Sequence, residues 1–368
     1  MRIIQIVLVV LFIFLSPQRA FSEPECFAPS NMIPALLDTK NYSEFWQQVF
    51  LFEDGTFITS EFLVANFGFS THHGILLSTL VRPNGDRYII KNGRTRSGWN
   101  FKADPFSINI YQHSLIKDQG GYDLTLDNTM AQVNLNLTSQ AEPWSAERLM
   151  GKKKKIWQDV DFFAPALLAE GYWTPGPETE LKGDYETRFE LKGGVGFAMH
   201  GVQSENLHEL MSSWLKLFGF GKTGKAKPFL SSVMNINDGQ ENSFMMSWDG
   251  LENEAFKNIT IKTIKTQTID ETEVPKIIEI EANAGDKTLK GTIQLNKILE
   301  TFVLNNHLNA LEKVSASSQP KLKRFRFQAD YSFLIEKMGE KSNIEGQALG
   351  EYIDVVPPKG IRRRRSRE

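Results

Sequence analysis

The chain is punctuated by dipeptides that favour tight reversals: Asp54-Gly55, Asn84-Gly85, Asn92-Gly93, Gly120-Gly121, Asp238-Gly239 and Gly285-Asp286. Such pairs take the positive φ angles that short hairpins need. Between them lie stretches rich in β-branched and aromatic residues, at 45–52, 57–66, 74–81, 106–111, 133–138, 258–266, 276–282 and 321–335. A turn about every ten residues is the rhythm of antiparallel barrels and sandwiches. Strand never alternates with helix, so a parallel α/β sheet is excluded.

Two segments depart from this rhythm. Within 205–220, Leu207, Leu210, Met211, Trp214, Leu215 and Phe218 recur at helical spacing,. Leu295, Ile298, Leu299 and Phe302 do the same within 295–313. Residues 141–177 hold Pro143, Pro165, Pro175 and Pro177 and lose the strand rhythm, which predicts a join between two β domains there. The Pro-Pro and four-arginine run of 357–368 predicts a basic, disordered tail.

The first residues read as an export signal. Met1 and Arg2 precede an apolar run at 3–15, too short to span a bilayer, and Ala20-Phe21-Ser22 offers a cleavage site before Glu23,. The expected location is therefore the periplasm or the exterior. An uncleaved anchor is the alternative. The lone Cys26 excludes an intrachain disulfide and a cysteine-based zinc site,. A net charge of -2 gives no basic excess for a nucleic-acid partner,.

No motif announces chemistry. The six histidines fall in no HExxH or HxH pattern, and there is no GxSxG, P-loop or dinucleotide fingerprint, so neither metal nor cofactor is expected,. The glycines of 193–196 lie between strands, where glycine marks a bulge or a close crossing,.

The run Gly194-Val195-Gly196-Phe197-Ala198-Met199-His200-Gly201-Val202-Gln203 resembles the element that opens the second domain of the yeast survival-factor family. Trp214, residues 231–235 and 243–249, and the closing stretch at 344–352 continue the resemblance over about residues 42–356. It implies an all-β chain of two tandem lipocalin-like antiparallel β-barrels with a few short helices. The domains would span 40–180 and 181–356, after a signal peptide at 1–22. It also implies carriage of a ceramide-type lipid. The same superfamily includes carotenoid hydratases and tocopherol-cyclase-like proteins. Where the hydratase branch has aspartate this chain has Met199, which cannot donate a proton,.

Three functions follow as expectations: a non-catalytic carrier of a hydrophobic acyl or isoprenoid lipid, a lipid-modifying hydratase or cyclase, and an assembly protein. The candidate ligand contacts are Phe197, Met199, His200, Gln203 and Trp214, with His200 expected to be buried on a strand of the second barrel and to fix a hydrogen bond. If 205–220 is helical, Leu210, Met211, Trp214 and Phe218, with Lys222 and Lys225 following, suit a lid that touches a membrane,. The same stripe also fits an ordinary helix packed on a barrel.

Overall fold

The computed structural model describes residues 32–356, without 68–69, 95, 119, 147, 152–155, 180–186, 222–228, 237–240, 250–251, 304–305 and 307–320. The leader, Cys26, the Asp238-Gly239 pair and the basic tail therefore lie outside the described residues.

The first sheet comprises β1 (Ser43–Leu51), β2 (Phe57–Phe67), β3 (Ser70–Val81), β4 (Arg87–Arg94), β5 (Trp99–Ala103), β6 (Phe106–Ile110), β7 (His113–Lys117), β8 (Tyr122–Asp127), β9 (Ala131–Ser139), β10 (Trp144–Ser145), β11 (Leu149–Met150), β12 (Trp157–Pro175) and β13 (Phe189–Gln203). A single helical turn, α1 (Leu207–Leu210), leads to the second sheet. That sheet comprises β14 (Met211–Gly221), β15 (Phe229–Ile236), β16 (Glu241–Asp249), β17 (Glu252–Ala255), β18 (Lys257–Ile269), β19 (Thr272–Ala284), β20 (Lys287–Val303), β21 (Lys321–Lys337) and β22 (Glu340–Val356). Most sequence neighbours pair antiparallel, the breaks β4/β5 and β17/β18 forming the ends of the two sheets, and each sheet curls so that its first strand pairs with its last: β1 with β13, β14 with β22. This is a tandem of lipocalin-like barrels, as the turn rhythm and the resemblance imply.

Burial among the described residues divides into three large cores and a small cluster of Ile75, Leu77 and Phe302. Trp46, Phe62, Leu76, Leu124 and Phe163 fill the first barrel. Leu217, Ile278, Ile293, Phe325 and Phe327 fill the second. A third core of Phe57, Phe162, Phe197, Met199, Trp214, Phe218 and Ile353 lies between the barrels. The strands at this joint are therefore covered on both faces. On β1, Trp46 and Phe50 point into the first barrel while Val49 and Leu51 point into the joint. Close approach of β1 and β13 requires the glycines of β13: a Cβ on Gly196 would strike the Val49 carbonyl, and one on Gly201 the Phe45 ring.

Burial on both faces explains where the fold departs from expectation. Residues 205–220 are not a helix: after α1 they form β14, with Trp214 and Phe218 on the joint face and Leu215 and Leu217 on the barrel face. Two apolar faces give a near-continuous apolar run, which matches helical spacing by accident. Residues 295–303 are likewise strand, in β20. Register shifts at Leu295/Lys297 and Ile298/Glu300 insert extra residues and turn a period of two into an apparent helical stripe,. The supposed join within 141–177 contains β12, the longest strand, whose bulges around Asp161, Ala164 and Gly171 accommodate Pro165,. The strand β13, placed with the second domain by a boundary at 181, belongs to the first sheet, and sheet membership changes between Gln203 and Met211. Asn92-Gly93 lies within β4 and makes no turn.

Candidate functional site

A cavity of about 120 Å³ lies in the joint. Its walls are mostly apolar: Phe45, Leu63, Leu77, Trp214, Phe302, Leu322 and Ile353. Strand parity explains the polar exceptions. Ser43 pairs with Gln203, and Gln203 pairs with Gln158, so three polar side chains lie in a row across β1, β13 and β12. All three line the cavity, as do Gln47, Glu61 and Arg324. Gln158 is 1% exposed, and neither its carbonyl oxygen nor its amide nitrogen has a protein partner among the described residues.

Beside the cavity the barrels are tied by buried charges. Lys216 of β14 pairs with Glu351 of β22 and donates to Gln47 Oε1 (2.9 Å) across the joint. Arg326 of β21 donates to Glu351 Oε2 (2.6 Å) and to Thr59 Oγ1 of β2 (3.2 Å), and it pairs with Glu300 of β20. Arg324 lies 2.7 Å from Glu61 of β2 and 3.8 Å from Glu351. Gln47 Nε2 donates to Glu61 (3.3 Å) and Glu351 (3.4 Å). Three cations thus face three carboxylates. Burial alone would raise the Glu351 carboxyl, but Lys216, Arg326 and Arg324 hold it well below the usual carboxylate range. Glu300 follows the same logic: burial opposes its charge, and Arg326 prevails.

A second polar cluster lies inside the first barrel. His200 Nε2 lies 2.7 Å from Glu44 Oε1, and its ring stacks on Trp46 with centroids 4.7 Å apart. The same carboxylate accepts the Tyr42 hydroxyl and the Ala35 backbone N–H, the latter at 3.1 and 2.9 Å to its two oxygens. Trp46 Nε1 donates to the Met32 carbonyl (3.0 Å). Residues 32–36 thereby strap one side of the cluster. Burial, and then the Glu44 charge, pushes the Tyr42 phenol far above its ordinary value. Burial likewise raises Asp161, which sits opposite His200 in the β12–β13 register.

These placements sort the expected ligand residues. Gln203 and Trp214 line the cavity. Phe197 and Met199 belong to the core of the joint, with the Met199 sulfur 3.6 Å from Lys216 Nζ. His200 is buried as expected but in the first barrel, on the strand face opposite Met199, so it does not line the cavity. Leu210, Met211, Trp214 and Phe218 are all buried in the joint, which leaves none of them to a bilayer; Lys222 and Lys225 lie outside the described residues. Sequence reasoning missed Gln158, Glu61, Arg324 and Glu351. The available signal was Arg324 and Arg326 alternating with Phe325 and Phe327, which places both cations on one covered face. Among the described residues no group of three or more His, Cys, Asp or Glu side chains could hold a metal.

The sequence matches no family profile and no curated protein. Solved structures share the fold over nearly the whole chain. One is CghA with Sch210972, at 8% identity and a TM-score of 0.63, covering 91% of this chain and 93% of that one. A protein described as AttH from Nitrosomonas europaea matches at 11% identity and a TM-score of 0.55, covering 90% and 97%. Kievitone hydratase from Nectria haematococca matches at 7% identity and a TM-score of 0.55, covering 91% and 95%. These likenesses show a shared two-barrel, lipocalin-like fold.

Proposed function

We propose that the protein binds a small, largely apolar molecule in the cavity between its barrels, without covalent chemistry. The observation that carries this reading is Gln158. A buried amide with neither half paired costs about 1–3 kcal/mol per group, and here it lines a cavity that also offers large apolar side chains. A ligand with a polar group removes that penalty while its apolar part gains from burial.

Volume limits the ligand. A cavity of about 150 Å³ holds benzene, so about 120 Å³ admits one small ring or a short apolar segment. Both chains of a ceramide do not fit, which weighs against the ligand implied by the survival-factor resemblance. The leader-like run at 3–15 supports an encounter outside the cytoplasm,.

The hydratase alternative has a likeness of fold, since one neighbour is named for hydrating kievitone and another is described together with Sch210972. Its potential proton donor at the cavity, the Tyr42 hydroxyl, is committed to Glu44, and burial makes it a weaker acid,. The carboxylate on its wall, Glu61, is engaged by Arg324 at 2.7 Å and by Gln47,.

Saturation-transfer NMR with benzene tests the binding reading. Transfer to the ring protons is expected, and it should vanish in Ala65→Phe, which fills the cavity from β2. Unchanged transfer in a folded Ala65→Phe protein would refute the site.

A further inference from the structure

We infer that this cavity selects a neutral ligand presenting a hydrogen-bond donor and an acceptor side by side, as a lactam does, and that Gln158 is the selecting residue. The inference rests on the cavity being a ligand site and adds what the ligand must carry.

A glutamine amide offers one acceptor and two donor hydrogens at fixed separation. In Gln158 both ends are buried and without a protein partner among the described residues. A ligand with a carbonyl alone would pair the nitrogen and leave the oxygen unpaired. One with an N–H donor alone, as in pyrrole, would do the reverse, and a hydroxyl, whose donor and acceptor share one oxygen, reaches both ends only through bent bonds. A cis amide presents C=O and N–H on one edge and answers both at once, in the manner of a paired carboxamide. Gln203 lies opposite Gln158 in the β12–β13 register and lines the same cavity, so further polar contact on that edge has a place to go.

Charge excludes the other polar ligands. The cation on the wall, Arg324, is already matched by Glu61 at 2.7 Å, and the adjoining cluster balances three cations with three carboxylates. A carboxylate ligand would meet Glu61 as well as Arg324, and an ammonium ligand the reverse. Either would enter a low-dielectric joint with no unmatched partner. Neutrality follows from that balance and bifunctionality from the amide.

The experiment compares three probes of one-ring size: δ-valerolactam, cyclohexanone and benzene. Each is titrated by saturation-transfer NMR against the full chain and against Gln158→Leu and Gln158→Met, with thermal melting as the check of folding. The lactam should bind about a hundredfold more tightly than benzene, with cyclohexanone about tenfold tighter, since each newly paired group is worth roughly tenfold. In either variant the preference should collapse while benzene binding persists. Equal binding of lactam and benzene to the wild-type chain would overturn this inference and leave the binding reading standing. A lactam preference that survives in the variants would remove Gln158 as its source. Failure of all three probes to bind would overturn both readings.

Discussion

Glu351 is the most connected charge in the joint, and removing it gives the sharpest test of how the barrels are held together. It touches Lys216, Arg326 and Arg324 from three directions and is 3% exposed. Glu351→Gln keeps the shape and deletes the charge, which turns a balanced cluster of three cations and three carboxylates into one with an excess cation. Breaking a buried pair from one side costs about 3–5 kcal/mol, a large part of the 5–15 kcal/mol typical of a folded domain. Urea denaturation at pH 7 should show that loss as a lower midpoint at unchanged slope. Lys216→Met added to Glu351→Gln restores neutrality, so the double variant should be more stable than the sum of the single losses predicts, by about 1–3 kcal/mol. pH supplies an independent arm. The folded carboxyl is held below its ordinary value of 4.5. Its stabilisation is therefore complete above that pH and fades as the pH falls below it. Glu351→Gln should flatten the acid limb of the stability curve. A loss under about 1 kcal/mol at pH 7, with additive single effects, would refute the reasoning, because it would mean that water or side-chain movement neutralises the joint without the carboxylate.

Glu44→Ala should lower stability by about 3 kcal/mol, since it strands the Tyr42 hydroxyl, the Ala35 N–H and His200 in the first barrel; thermal melting followed by tryptophan fluorescence reads it,. Gln158→Leu should do the opposite and raise stability by about 1 kcal/mol in urea titration, because it removes an unpaired buried amide,. Trp214→Asp combined with Phe218→Asp should abolish the near-ultraviolet circular dichroism of the folded chain, since both side chains are 2% exposed in the joint,. A folded double variant would show that the joint is not core.

The strand content was legible because the first barrel's outer strands keep a clean alternation. In Ala131–Ser139, inward Val133, Leu135 and Leu137 alternate with Asn134, Asn136 and Thr138. The alternation fails where a strand serves two cores. Trp214 and Phe218 face one neighbour while Leu215 and Leu217 face another, so pattern alone cannot separate that stretch from a helix,. Lys216 carried the missing information. Its parity with Trp214 and Phe218 puts a cation on an apolar face, which is acceptable only if an acid awaits it, and that acid lies far along the chain at 351,. Gln158 was illegible for a related reason: its significance is the absence of a partner, which only three-dimensional packing reveals.

The pairing of first strand with last has a consequence in time. As the chain emerges from the ribosome, β1 meets no β13 until residue 203 has been made, and β14 meets no β22 until residue 356,. Each first-to-last seam therefore forms only after the rest of its sheet has been made, and such long-range pairing slows folding,. The 17 residues of β22 arrive last. They carry both the seam of the second barrel and the acid that answers Lys216. A nascent chain that stalls before Glu340 would expose the edge of β14 and leave an unmatched lysine on the surface meant for the first barrel. The β14–β22 seam of the second barrel and its docking against the first thus await the same strand.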